Sequence, residues 1–179
     1  MRADAARNLD AVLRTGARLL AGDPTASIAA IAADAGVDRR TVYRRFATRE
    51  DLLAAVFQAK LDASERVLDD ARLTEAPVAV ALHRYVEGIV PVSREWPVDV
   101  RRMMRSDPAA HDRRERLSAR LTEFVDRATR EGLLRADLPA GWARAMLDDL
   151  VDLVAHEHPD LAPGPAADLV VSSLLHGVG

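Results

Sequence analysis

Apolar residues in this chain recur at three- and four-residue spacing and do not alternate, in segments set off by sparse breaks. The breaks are Gly22-Asp23-Pro24, Ala35-Gly36, Ala47-Thr48, Glu75-Ala76-Pro77, Trp96-Pro97, Asp107-Pro108, Gly132, Asp137-Leu138-Pro139 and the stretch from His158-Pro159 to Pro163-Gly164-Pro165. A three-to-four spacing collects apolar side chains on one face of a helix, whereas a half-buried strand needs strict alternation. The pattern therefore predicts an all-α protein of about nine helices, near residues 5–21, 28–35, 39–46, 49–70, 76–90, 97–106, 108–133, 139–157 and 165–177. Aromatic residues make up only 4% of the 179, and the alanine- and leucine-rich remainder favours helix over strand.

Several classes of function drop out early. With no cysteine there is no disulfide scaffold, thiolate metal site or cysteine nucleophile. No run of 18 apolar residues exists, and Met1 is not followed by a basic-then-apolar leader, so a cytoplasmic protein without a membrane span is expected. Charge is distributed unevenly. Residues 1–60 carry ten basic and seven acidic side chains, while the rest of the chain is net negative. A basic first third on an acidic body suggests an end that faces a polyanion.

The segment from Ser27 to Arg49 gives that end a form. A two-turn helix running to Gly36, then Asp38 as an N-cap, then a second short helix is the pattern of a helix-turn-helix, whose second helix enters the DNA major groove. Helical geometry puts Val42 and Phe46 on the inner face with Ile28, Ile31 and Val37. It puts Arg40 and Arg44 outward, flanked by Arg39 with Tyr43 and by Thr41 with Arg45. Guanidinium forks bind guanine edges or phosphates, and hydroxyls donate to phosphate oxygens. Arg39, Arg40 and Arg44 are the candidates for reading bases. Thr41, Tyr43 and Arg49 are candidates for the backbone, and Ser27 at the head of the segment joins the DNA-contact set. A merely solvated arginine-rich helix is the alternative, but it leaves the glycine turn and the cap unexplained.

The pattern Ile31-Ala32-x-x-Ala35-Gly36-Val37-x-x-x-Thr41-Val42-Tyr43-x-x-Phe46-x-x-Arg49-Glu50-x-Leu52 resembles the DNA-binding domain of tetracycline-repressor (TetR) family regulators, over roughly residues 7–58. In that family the residues matching Thr41, Tyr43 and Arg49 typically contact DNA, while those matching 39, 40 and 44 vary with the operator. Arg40 stands where a small residue is common, Ala30 replaces a common acid, and the loop at 21–25 is about one residue short. The resemblance implies a helix-turn-helix domain over 1–47 and a helical ligand-binding and dimerisation domain over 48–179. It also implies a homodimer, a palindromic double-stranded DNA operator and a small-molecule effector, with repression as the default and no cofactor.

The body supports this in part. Trp142, Met146, Leu150 and Leu153, extended by Ala143, Leu147, Val151 and Val154, cover about half of one helix, wider than a single-core stripe. With Val170 and Leu174 of the last helix, Leu147, Val151 and Val154 are the candidate dimer interface. His83, Tyr85, Trp96, Met103, Met104, Phe124, Trp142 and Met146 are the candidate ligand lining, with His83 and Tyr85 as polar anchors. Aromatic and methionine side chains at helical spacing are more often plain core than ligand lining. His156 and His158 point apart on a helix and make no metal pair, and no nucleophile elbow or phosphate loop occurs, so catalysis is not expected. A helical dimer that binds a small molecule or protein without an operator is the alternative reading.

Overall fold

The computed structural model describes residues 2–98 and 108–177. Eight helices, and no strands, are present among the described residues: α1 (Arg2–Gly22), α2 (Ile28–Asp34), α3 (Arg39–Arg45), α4 (Arg49–Ala71), α5 (Val78–Glu95), α6 (Pro108–Arg130), α7 (Trp142–Glu157) and α8 (Pro163–His176). The all-α expectation is met, with eight helices among the described residues. The expected helix over 97–106 lies outside the described residues, except for its first two positions, which are not helical.

Two compact units divide the chain, residues 1–61 with 95–111, and residues 62–94 with 112–179. The first contains α1 to α3 and the first half of α4. Its core is Val12, Ala17, Leu20, Ile28, Ile31, Val42, Phe46, Leu52, Val56 and Phe57, all buried. Trp96 also belongs to this unit. It is 4% exposed, with the Arg14 guanidinium 5.9 Å from its ring centroid, and Arg14 is paired with both Asp10 and Glu95.

The second unit holds the rest of α4 with α5 to α8, around Leu82, Val86, Val90, Leu121, Phe124, Leu147, Val151, Val154 and Val170. α5 runs on through Pro91 to Glu95, past the expected end near residue 90. An interior proline costs a helix about 3 kcal/mol. Val86 and Val90 before it and Val92 after it are all buried, and each fully buried valine contributes roughly 1.5–3 kcal/mol, so packing outweighs the break. Just beyond Pro91, Arg94 donates to the carbonyls of His158, the C-cap of α7, at 3.0 Å and of Leu161, in the loop to α8, at 2.8 Å, satisfying acceptors left open where α7 ends.

Close helix packing is set by Gly88, where an added Cβ would lie 2.9 Å from Val67 Cγ1. Alanine improves helix propensity by about 1 kcal/mol. Against that, forcing a methyl onto a stiff β-branched side chain costs typically 1–3 kcal/mol. Gly88→Ala is therefore expected to lower the urea midpoint; an unchanged or higher midpoint shows that α4 and α5 separate without penalty.

Candidate nucleic-acid interface

The helix-turn-helix is built from the bottom by its caps. Ser27 accepts from the Ala30 N–H at 3.1 Å and starts α2. Gly36 then takes φ +64°, a left-handed conformation natural to glycine, and Gly36 and Val37 donate to the carbonyls of Ala33 and Ala32. Asp38 follows, accepting from the N–H groups of Arg40 at 2.9 Å and Thr41 at 3.2 Å. This single carboxylate closes two of the four open donors at the start of α3 and places a negative charge at its positive end. Downstream, Thr48 and Asp51 cap each other across the first turn of α4, at 2.9 and 3.1 Å.

On α3, Val42 and Phe46 are 2% and 6% exposed, while Arg39, Arg40, Tyr43, Arg44 and Arg45 are all exposed and Thr41 is half-buried. Arg39 lies over the Tyr43 ring at 5.1 Å, holding two outward side chains together. The other exposed arginines of this helix share with Arg66, Arg84, Arg116 and Arg130 the lack of an acidic partner among the described residues, but only here do they gather on one short helix. Arg7, Arg14, Arg18, Arg113, Arg120 and Arg144 each hold an acidic partner. Arg40, Arg44 and Arg45 hold none among the described residues. Four guanidinium groups on seven residues repel one another, and a helix this short has little stability of its own. The charge is left open to an external anion. Thr41, Arg44 and Arg45 also line a groove of about 490 Å³ against α1, floored by Leu9, Val12, Val37, Val42 and Phe46.

A family model for bacterial regulatory proteins of the tetR family matches residues 12–56, which contain this whole arrangement. The chain is 30% identical over 177 residues to the HTH-type transcriptional repressor LfrR of Mycolicibacterium smegmatis, covering 96% of this chain and 90% of that relative. The chain belongs to the TetR family. It is a DNA-binding transcriptional regulator of that family, and its curated relative is a regulator too. The crystal structure of the TetR-like regulator LfrR from Mycobacterium smegmatis in complex with proflavine matches with TM-score 0.72 and 29% identity, over 97% of this chain and 98% of that one. PfmR from Thermus thermophilus shares the fold, with TM-score 0.70 and 17% identity over 94% of this chain and 98% of its own.

The other candidate residues of this TetR-family chain are more scattered. Ser27 is exposed but engaged as a cap, and Arg49 is half-buried, donating to the carbonyls of Pro24 and Ala26. In the second unit, His83 bonds Asp168 at 3.0 Å and joins α5 to α8. Tyr85 is 6% exposed, and burial pushes its phenol above the ordinary tyrosine range, with the nearby Asp148 carboxylate adding to the effect. Phe124 lines a cavity of about 350 Å³ together with Leu68, Leu73 and Arg72, Arg120, Arg127 and Arg130. Trp96 belongs to the first unit, and Met103 and Met104 lie outside the described residues.

The expected interface stripe needs correcting. Leu147, Val151, Val154 and Val170 are all 5% exposed or less in the single chain, so they belong to its own core; Leu174 is half-buried. The open apolar face of α7 is Trp142, Met146 and Leu153, and α8 adds Leu169. The wide arc of α7 has two edges, turned by roughly a third of a circumference, and one edge packs inward while the other stays open. Arg45 is the exposed arginine of α3 that the candidate set omits, although its place on the outer face was readable from helical spacing.

Removing the α3 cap tests how far the interface depends on it. Asp38→Ala is expected to cost about 1 kcal/mol of stability and to weaken DNA binding, measured by urea unfolding and by fluorescence anisotropy of a labelled duplex. Arg44→Ala is expected to remove about 1–3 kcal/mol of discrimination between operator and random duplex. An equal loss on both duplexes would make it a phosphate contact.

Proposed function

We propose that the protein is a homodimeric repressor that binds a palindromic operator and is released from it by a small molecule. The observation that carries this reading is the run of exposed arginines on α3 without acidic partners. Arg39, Arg40 and Arg44 read bases; Ser27, Thr41 and Tyr43 hold the phosphate backbone. Residues 1–47 form the reading head, and residues 48–179 sense ligand and dimerise. Two recognition helices, one from each subunit, enter successive major grooves about one turn apart, ~34–36 Å.

The dimer surface is supported by the open face of α7 and α8. Trp142, Met146, Leu153 and Leu169 are between 37% and 52% exposed. Large apolar side chains gathered on neighbouring helices are the kind of patch that a second copy covers.

For the effector, an aromatic cation is the first class to test. Proflavine, the ligand in the LfrR structure, is of that class. In this chain the support is Tyr85, a buried aromatic ring of the second unit near the carboxylates of Asp148 and Asp152 and the guanidinium of Arg144. Ligand lowers operator affinity to the extent that it prefers the protein conformer with the wrong helix spacing, and DNA lowers ligand affinity by the same factor.

Selection of bound fragments from the host genome at two salt concentrations tests the operator. A shared palindrome whose affinity falls steeply with salt is expected; salt-sensitive binding without a common sequence would leave only a basic surface. Leu153→Glu is expected to shift the sedimentation coefficient to that of a monomer and to abolish operator binding, and a dimer that persists refutes this face. Proflavine, titrated against the protein–operator complex, is expected to release the DNA. No release across the soluble range of the dye removes this ligand class and leaves operator binding untouched.

A further inference from the structure

Arg49 opens α4, where the family pattern assigns a direct contact with the DNA backbone. Its guanidinium already directs two of its five N–H donors into the chain. Nε donates to the Ala26 carbonyl at 3.2 Å, and an Nη donates to the Pro24 carbonyl. Both acceptors lie in the loop from α1 to α2. The other ties of that loop are local: Asp23 N–H to the Leu19 carbonyl at 2.7 Å, Ala26 N–H to the Asp23 carbonyl at 3.1 Å, and the Thr25 N–H and hydroxyl to Asp23 Oδ1 at 2.8 and 2.6 Å. None of these satisfies the carbonyls of Pro24 and Ala26, so Arg49 is what joins the loop to the start of α4. Ala26 is buried, and the next residue is Ser27, the cap of α2.

We propose that Arg49 is a positioning residue: its fork to Pro24 and Ala26 sets the loop and, through Ser27, the placement of α2, which packs against the recognition helix. The proposal rests on the operator-binding reading above. Two carbonyls two residues apart suit a planar guanidinium, whose donors diverge in one plane. An ammonium of the same charge has no such fork. The Thr48–Asp51 cap fixes the backbone from which Arg49 reaches back, and Asp23 is close enough for the Arg49 charge to help hold its carboxyl below the usual range, after the Thr25 hydrogen bonds.

Arg49→Lys and Arg49→Gln separate this role from a phosphate contact, measured on an operator fragment recovered by selection, over a series of salt concentrations. Both variants are expected to bind about tenfold more weakly, with the salt slope of the unaltered protein. Amide exchange in the DNA-free variants is expected to speed up at Ala26 and Ile31, while the helical circular dichroism stays unchanged. Full binding by the lysine variant, with the glutamine variant losing about 0.9 of a unit of slope, would overturn the proposal in favour of a direct contact. Wild-type binding by both variants would overturn it too. If the unaltered protein selects no duplex, the operator reading fails and the exchange rates alone decide: faster exchange supports the loop tie, and unchanged exchange refutes it.

Discussion

The functional end of this molecule depends on burying one edge of a helix that cannot stand alone. α3 has seven residues and four arginines, and only Val42 within it, with Phe46 at its C-cap, reaches the core. A segment of this length forms no stable helix in water, and its charges oppose it further. Everything else in the unit compensates: the Asp38 cap at one end, the carbonyls of Ala32 and Ala33 closing the glycine turn, and the apolar floor supplied by α1 and α2. The arginines can remain unneutralised because their helix is held by its other side.

The helix-turn-helix was legible in the sequence because several local rules agree on it. Glycine at the left-handed turn, aspartate at the cap and valine and phenylalanine one turn apart each point to the same geometry, and the structure places all four accordingly. Such agreement between levels is what makes a segment readable. Pro91 shows the opposite case. Its local rule says stop, but buried valines on both sides carry α5 onward. Tertiary packing decided that boundary, and packing is not written in a window of neighbouring residues.

The face of α7 was half legible. Its periodicity revealed an arc too wide for one core but not which edge belonged inside, because apolar side chains have the same spacing whether they meet their own chain or another. Arg49 illustrates a further limit. Sequence supplies the residue type and its register, whereas the direction of a long flexible side chain depends on which acceptors the fold leaves unsatisfied nearby. Here those are two loop carbonyls more than twenty positions earlier.

The recognition helix takes its positive charge from arginine alone, in a chain whose one lysine is Lys60, on α4. Guanidinium groups do not undergo the acylation that silences an ammonium. The charge of this helix is thus closed to lysine-directed modification. In the proposed dimer, control then comes through the position of the two reading heads, a regulation by spacing at constant charge.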